Sequence, residues 1–252
     1  MKTVELGDLI DYCDTLLDAG GFEDYAPNGL QVDGARAVRR LATGVTASLA
    51  LIEAASDWGA DAILVHHGWF WKGENPCLTG VKGRRAMRLF SAGASLIAYH
   101  LPLDAHPRLG NNATLGDQLG FVEARGEDST HGLLWTGRLT ETAEPAALAE
   151  MIAERLGRAV TLVDGGRARI ERVAWCTGGG QGYLERAAAL GADAFISGEI
   201  SEQTTHLARE LGLTFVAAGH HATERGGVRA LGEHLSKELG LVHRFIEIDN
   251  PA

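Results

Sequence analysis

Short apolar runs alternate along this chain with longer stretches whose apolar residues recur at helical spacing. Runs of four to eight apolar residues favour strands, and stretches rich in Ala, Leu, Glu and Arg favour helices. The predicted strands are Leu41–Thr46, Ala62–Val65, Ser95–Tyr99, Gly132–Leu139, Ala159–Val163, Arg172–Cys176, Ala194–Ser197, Thr214–Ala217 and Val242–Ile248. The predicted helices are Ala47–Trp58, Gly83–Ala92, Asn112–Leu119, Pro145–Leu156, Gln181–Leu190, Glu202–Leu211 and Thr223–Leu239.

This alternation of strands and helices predicts an α/β fold. Several strand runs are apolar without alternation, which is typical of strands buried on both faces of a helix-covered sheet. We expect two interlinked α/β domains with mostly parallel or mixed sheets covered by helices. The polar stretch Glu123–Thr130 is the best candidate boundary. It predicts an N-terminal domain at 1–125 and a second domain at 126–252.

Composition excludes several classes of protein. The chain has 252 residues, of which 45% are hydrophobic, so a disordered chain is excluded. Its 23 Lys and Arg against 33 Asp and Glu give a net charge of −10. An acidic chain has no positive field to draw it to phosphate backbones or anionic membranes. We therefore expect neither general nucleic-acid binding nor membrane association.

The cysteines and the N-terminal segment predict a cytoplasmic location. Cys13, Cys77 and Cys176 are far apart and form no C-x-x-C motif, so we expect neither a thiolate zinc site nor a disulfide framework. The first 21 residues carry five acidic side chains among apolar residues at helical spacing. This pattern is typical of an amphipathic helix rather than a signal peptide, and no apolar run reaches the length of a membrane span.

Histidines collect just after three of the predicted strands. His66 and His67 follow the first of these strands. His100 follows the second, with Asp104 and His106 just beyond it. The third is followed by His220 and His221, with Glu224 close behind. In α/β sheets the working residues gather at the carboxyl ends of strands, so this clustering predicts a functional site.

Imidazole and carboxylate side chains together predict a site for Zn, Fe, Mn, Co or Ni. Two such metals held close together need a bridging carboxylate, and Asp104 and Glu224 are available for that role. His220 and Glu224 are four residues apart, which places them on one face of a helical turn. In the competing interpretation these histidines are only structural. It applies most directly to His106 and His221, whose role would then be to fix the conformation of their own loops.

Two further segments keep alternative interpretations open. The sequence CTGGGQGY, Cys176–Tyr183, follows a predicted strand and opens a helix, so it is either an anion-binding nest or a tight turn. Glu199 and Glu202 follow another strand. Acidic residues in that position commonly interact with the positive end of a helix dipole, which gives these two a structural interpretation.

Five sequence blocks resemble the NIF-three family, also called the GTP cyclohydrolase I type 2 family. The blocks are HHGWFWKGENP, AYHLPLDAHPRLGNNA, AWCTGGGQ, FISGEISEQTTH and AAGHHATERGGVRAL, and NGLQV and the final IDNPA fit the same pattern. The resemblance spans nearly the whole chain and is closest to the short bacterial branch of the family.

The resemblance implies two divalent metal ions per subunit, of undetermined identity, and a toroidal homohexamer. It implies that the metal ligands are His66, His67, Asp104, His220 and Glu224. His100 is left without a ligand role, and we assign it to proton transfer or substrate contact.

Two hypotheses of function follow. The first is a dinuclear-metal hydrolase of the GTP cyclohydrolase type, which opens a purine ring, or an enzyme acting on a related nucleotide or small anionic substrate. The alternative is a non-enzymatic metal-binding hexamer that serves as a carrier, regulator or adaptor. A third interpretation makes the histidine clusters purely structural.

Overall fold

A computed structural model describes residues 2–252 of the chain. It contains two compact units, each made from two separate stretches of sequence. The first unit holds the residues up to Leu103 and the stretch Gly227–Asp249, and the second holds Asp104–Gly226 and Asn250–Ala252. These units are discontinuous, whereas the expected domains 1–125 and 126–252 are continuous, and that domain division stays a prediction.

Strands and helices alternate through most of the chain. The strands are β1 Val4–Glu5, β2 Gly29–Val32, β3 Ala37–Val38, β4 Arg40–Thr46, β5 Ala62–His67, β6 Ser95–Ala98, β7 Val122–Gly126, β8 Trp135–Ala143, β9 Thr161–Val163, β10 Ile170–Cys176, β11 Ala194–Ser197, β12 Thr214–Ala217 and β13 Val242–Phe245. The α-helices are α1 Leu6–Leu17, α2 Leu49–Trp58, α3 Gly80–Ala92, α4 Leu101–Ala105, α5 Asn111–Gln118, α6 Pro145–Leu156, α7 Leu184–Ala189, α8 Glu202–Glu210, α9 His220–Thr223 and α10 Arg225–Leu239.

The sheet of the first unit has five strands in the order β13-β4-β5-β6-β2. Its four strands from β13 to β6 are parallel, and β2 joins the β6 edge in the antiparallel direction. Alternate strand residues, such as Ile63 and Val65 of β5, pack with Leu51 of α2 and Leu89 of α3 in one buried cluster. Because the strands are parallel, the carboxyl ends of β4, β5 and β6 lie at the same edge of the sheet.

The sheet of the second unit has six strands in the order β7-β8-β10-β11-β12-β9. The central strands β10, β11 and β12 are parallel, and the outer strands pair in the antiparallel direction. Successive residues of β11 belong to different buried clusters: Phe195 packs with residues of α7 and α8, and Ile196 with residues of α5 and α6. Helices therefore cover both faces of this sheet, which is why its central strands are apolar without alternation.

The predicted α/β class is confirmed, and several elements have the predicted bounds. Strands β11 and β12 and helix α6 match residue for residue. The polar stretch Glu123–Thr130 differs from expectation, because its first half lies in edge strand β7. The expected helix over 181–190 begins as a 3-10 turn, Gly180–Tyr183, before α7. Within residues 2–252, no helix combines the length and the apolar character that crossing a membrane requires.

Candidate metal centre

In the first unit, three histidines lie together at the carboxyl ends of β5 and β6. His66 and His67 end β5, and His100 follows β6. The ring centroids of His66 and His67 are 4.6 Å apart, and that of His100 lies 5.0 Å from the first and 5.8 Å from the second. One ligand nitrogen from each ring lies within 4.8 Å of the other two. The three rings therefore form a group with the spacing of a metal site.

Each of these imidazoles is held through its Nδ1 atom. His66 Nδ1 donates to the backbone oxygen of Tyr99 at 3.0 Å. His67 Nδ1 lies 3.3 Å from the Thr46 hydroxyl on the neighbouring strand β4. His100 Nδ1 donates to the Asp24 carboxylate at 2.8 Å. Histidines that bind metals commonly engage the second nitrogen in this way, which leaves Nε2 of each ring directed to other contacts, including a metal.

The side chain of Asp24 is only 3% exposed and accepts several hydrogen bonds. Besides His100, its carboxylate receives the backbone amides of Tyr25 at 2.7 Å and Leu101 at 2.9 Å and the side-chain amide of Asn28 at 3.1 Å. Burial alone would raise the pKa of Asp24, but the hydrogen bond and charge of His100, together with the donors from Leu101 and Asn28, lower it to about 2. Asp24 is therefore ionised behind the His100 ring.

Aromatic side chains border the histidine group. The Trp71 ring meets His100 edge-on, with centroids 5.0 Å apart, and lies 5.8 Å from His67. Tyr25 is 56% exposed and contacts His100 with an edge-to-face geometry at 5.5 Å. Trp69 is buried and donates to the Ala47 backbone oxygen, so its role is packing.

In the second unit, Asp104 is buried in a polar setting. Its Oδ1 atom accepts from the Asn111 side chain at 2.8 Å and from the Thr177 hydroxyl at 3.3 Å. Asn112 fixes the same segment, because its side chain donates to the Asp104 backbone oxygen and accepts from the Thr177 amide. The Asn111 amide and the Thr177 hydroxyl therefore hold the Oδ1 atom of this carboxylate in place.

His220 and Glu224, also in the second unit, form a close pair. The Nε2 atom of His220 lies 3.2 Å from Glu224 Oε1, and its Nδ1 atom lies 2.7 Å from Glu199 Oε1. Burial would lower the pKa of His220, but hydrogen bonds and negative charge from Glu224 and Glu199 raise it to about 9. Two carboxylates thus favour positive charge on this imidazole.

The glycine-rich segment lies beside this pair and forms a tight turn. A Cβ atom on Gly178 would lie 2.0 Å from Glu224 Oε1 and 3.0 Å from His220 Nε2. The Gly178 amide donates to the Thr223 hydroxyl, and its carbonyl accepts from the Ser197 hydroxyl. Because these contacts occupy the peptide groups of Gly178, the turn interpretation is favoured over an anion nest at that residue.

His106 and His221, and His206 on α8, have structural contacts. His106 Nδ1 accepts the amides of Arg108 and Leu109, so it shapes its own loop. His221 is buried, and its backbone amide donates to the oxygen of Ala252. His206 pairs with Glu202 on the exposed face of α8.

The donor chemistry in both units fits a divalent first-row metal. The first unit offers converging imidazole nitrogens, and the second offers a buried carboxylate and an imidazole–carboxylate pair. Cys176 does not supply a thiolate ligand, because burial and the charges of Asp104 and Glu224 raise the pKa of its thiol. Nitrogen and oxygen ligands of this kind suit Zn, Fe, Mn, Co and Ni.

Sequence reasoning missed two carboxylates that hold these imidazoles. Asp24 received no interpretation, and Glu199 was interpreted as an acid at a helix start. Only Glu202 has that role, since it begins α8, whereas Glu199 hydrogen-bonds to His220. The Asp24–His100 and Glu199–His220 contacts join residues 76 and 21 positions apart in sequence, so no local sequence pattern predicts them.

Comparisons with known proteins give matches over nearly the whole chain. A sequence model of the Duf34/NIF3 (NGG1p interacting factor 3) family matches residues 4–251. A protein of Allochromatium vinosum named "GTP cyclohydrolase 1 type 2 homolog" is 65% identical over 98% of both chains. Among solved structures, "protein ybgI, unknown function" superposes with a TM-score of 0.95 at 50% identity, covering 99% of this chain and 100% of that one. TTHA1606 from Thermus thermophilus has a TM-score of 0.89 at 34% identity, with 99% and 100% covered.

Proposed function

The chain belongs to the Duf34/NIF3 family, and from that premise we propose that it is a dinuclear-metal-dependent hydrolase of the GTP cyclohydrolase type, or one acting on a related nucleotide. The proposed metal ligands are His66, His67, Asp104, His220 and Glu224. The observation that carries the proposal is the imidazole group of the first unit. His66 and His67 are held at Nδ1 as ligands would be, and each offers a nitrogen within 4.8 Å of the other and of a nitrogen of His100. The name shared by the curated relatives supports the substrate class.

When bound, the two divalent ions would lower the pKa of a water molecule and offset negative charge that develops on the substrate. The protein's own residues then have three tasks. Backbone and hydroxyl groups behind His66 and His67 fix their ring orientation. Asn111 and Thr177 hold the Asp104 carboxylate, and Glu199 holds the His220 ring.

His100 is the proposed proton-transfer residue. Opening a purine requires one water to attack the carbon between the two nitrogens of its five-membered ring and break one C–N bond. A second water then breaks the other C–N bond and releases formate, and each nitrogen that leaves takes up a proton, so protons must be both accepted and donated. The resemblance assigns ligand roles to His66 and His67 but not to His100, which lies beside them. With Nδ1 engaged by Asp24, the Nε2 atom of His100 is the nitrogen that exchanges a proton.

The proposal extends to assembly and location. We place the protein in the cytoplasm as a toroidal homohexamer, with each subunit carrying its own pair of metal ions. The family resemblance supports the hexamer, and the three widely spaced, free cysteines support a reducing compartment. Size-exclusion chromatography with light scattering tests the hexamer directly.

The decisive experiment combines metal analysis with a substrate screen. Purified protein, reconstituted with each candidate metal, is assayed for formate release from GTP and for hydrolysis of other nucleotides and of phosphoesters. Asp104→Ala is expected to lose metal and turnover together. Asp117→Ala, an exposed acid on α5, is the control and is expected to retain both.

The outcomes separate the hypotheses. Hydrolysis of another substrate with GTP untouched rejects the purine ring-opening reaction and keeps a hydrolase. Stoichiometric, exchangeable metal without any turnover rejects the enzyme and supports the carrier, regulator or adaptor. Protein that takes up no metal even after reconstitution rejects both and supports purely structural histidines.

A further inference from the structure

One segment of the first unit fixes both the backbone and the ring of His100. The Asn28 side-chain oxygen accepts the His100 backbone amide at 2.8 Å, and the Asp24 carboxylate accepts from the His100 ring at 2.8 Å. Asp24 and Asn28 are themselves joined by a hydrogen bond. The position of the ring is therefore set by a residue pair outside the strands and helices, 72 to 76 positions away in sequence.

The two oxygens of Asp24 have different partners. Oδ1 accepts from His100 Nδ1 and from the exposed Tyr25 amide, and Oδ2 accepts from the Leu101 amide and the Asn28 side chain. A carboxylate has no proton to donate when ionised, so the Oδ1 contact requires the proton to be on Nδ1 of His100. A helix-capping role alone would be complete with the Leu101 contact and would need no oxygen turned to the ring.

We propose that Asp24 is the positioning residue of His100: its carboxylate keeps the proton of the neutral imidazole on Nδ1, so that Nε2 presents its lone pair to the group formed with His66 and His67. The catalytic meaning of this arrangement rests on the proposed function, in which His100 transfers a proton. The tautomer itself is a property of the protein without substrate.

The variant Asp24→Asn tests the proposal because an amide has one acceptor and one donor in place of two acceptors. With its oxygen at the Oδ2 position, the amide keeps both the Leu101 and Asn28 contacts, and only the exposed Tyr25 amide must turn to water. Its nitrogen then faces His100 Nδ1 as a donor. The proton of the neutral ring is thereby moved to Nε2, which removes the lone pair from the histidine group.

The experiment is nitrogen NMR of the histidine side chains in ¹⁵N-labelled, metal-free, full-length protein, at a pH where the His100 imidazole is neutral. The His100 signals are assigned by their loss in His100→Gln. We expect Nδ1-protonated His100 in the wild type and Nε2-protonated His100 in Asp24→Asn. The control is Asp61→Asn, which alters a carboxylate that accepts the backbone amides of Arg39 and Arg40 and should leave the His100 signals unchanged.

Wild-type protein with the proton on Nε2 of His100 overturns the proposal, and this result does not depend on whether Asp24→Asn folds. An unchanged tautomer in folded Asp24→Asn overturns it as well. If the protein turns over a substrate, Asp24→Asn should lower kcat about 10- to 100-fold, because Asp24 holds the His100 ring that transfers the proton. KM and metal content should stay near the wild-type values. Wild-type protein without turnover rejects the proposed function, while the tautomer result still decides the role of Asp24.

Discussion

Gly178 leaves no room for a side chain beside Glu224: a Cβ atom there would lie 2.0 Å from the Glu224 Oε1 atom. The same residue has a φ of +61°, a left-handed conformation that glycine adopts without steric cost. Its amide is bonded to the Thr223 hydroxyl, which fixes the turn against the segment that carries His220 and Glu224. The glycine therefore determines where the carboxylate of this candidate ligand lies.

Gly178→Ala is expected to displace Glu224 and weaken metal binding. The added methyl group collides with the Glu224 carboxylate and makes a tight contact with His220 Nε2, and the positive φ adds strain of about 1 kcal/mol. Metal stoichiometry after reconstitution and dialysis should fall below that of the wild type. Gly182→Ala, in the same segment with open space around its α-carbon, is the control and should bind metal normally. Equal metal content in the two variants would show that Glu224 is not a ligand.

Glu199→Gln is expected to weaken metal binding about 10- to 100-fold without unfolding the protein. The change removes the charged partner behind His220 Nδ1, and outer partners of this kind orient a ligand and raise its basicity. Glu202→Gln, which alters the acid that contacts His206 on exposed α8, should leave the affinity unchanged. Metal titration by calorimetry compares them, and similar affinities for both would confine Glu199 to a structural role.

His100→Gln should abolish turnover while preserving metal content. Glutamine retains polarity but cannot carry a proton between groups, and loss of such a group costs about 10²- to 10⁴-fold in rate. The measurement is kcat together with metal content per subunit, and exposed His206→Gln is the matched control. Metal content that drops in parallel with the rate would instead make His100 a ligand.

His243 should make the protein less stable in mild acid. Burial lowers the pKa of His243, with Glu233 opposing this effect and Arg229 adding to it. The folded protein therefore keeps His243 neutral while the unfolded chain takes up a proton below about pH 6.5, so the contribution of His243 to the free energy of unfolding decreases as pH falls through that value. His220, whose pKa is raised, acts in the opposite direction, so the contribution of His243 is read from the difference between wild type and variant.

The measurement is urea unfolding at about pH 7.5 and about pH 5.5. His243→Gln, whose amide can still reach the Thr43 hydroxyl that the ring contacts at 2.8 Å, should show a smaller decrease between the two values than the wild type. His206→Gln should behave as the wild type does. An identical decrease in all three proteins would assign the pH dependence to other groups.

The elements predicted most accurately are those whose signal is local. Strands β11 and β12 are buried at every position, and each is a run of three apolar residues with one hydroxyl residue, Ser197 or Thr214, at its end. Strand β7 was missed because it is an exposed edge strand with the polar sequence VEARG. The place of β13 beside β4 also has no local signal, since this pairing joins residues about 200 positions apart.

The candidate site likewise contains some residues that a local sequence signal predicts and others that it does not. The histidines at strand ends and the His220–Glu224 spacing were visible in the sequence, because strand termini and helical turns place side chains by local rules. Asp24 lies in an irregular segment, and its distance from His100 depends on the completed fold. The carboxylates behind the imidazoles therefore required the structure, whereas the imidazoles themselves did not.

The pairing of β13 with β4 has a consequence for biosynthesis. A ribosome releases β4 early, but the strand that covers its outer edge emerges some 200 residues later, after every strand of the second unit has been made. An uncovered parallel strand offers unpaired backbone groups to any neighbouring chain. During translation, then, the edge of β4 stays open for a chaperone to protect, and the sheet that is first to begin synthesis is the last to receive its final strand.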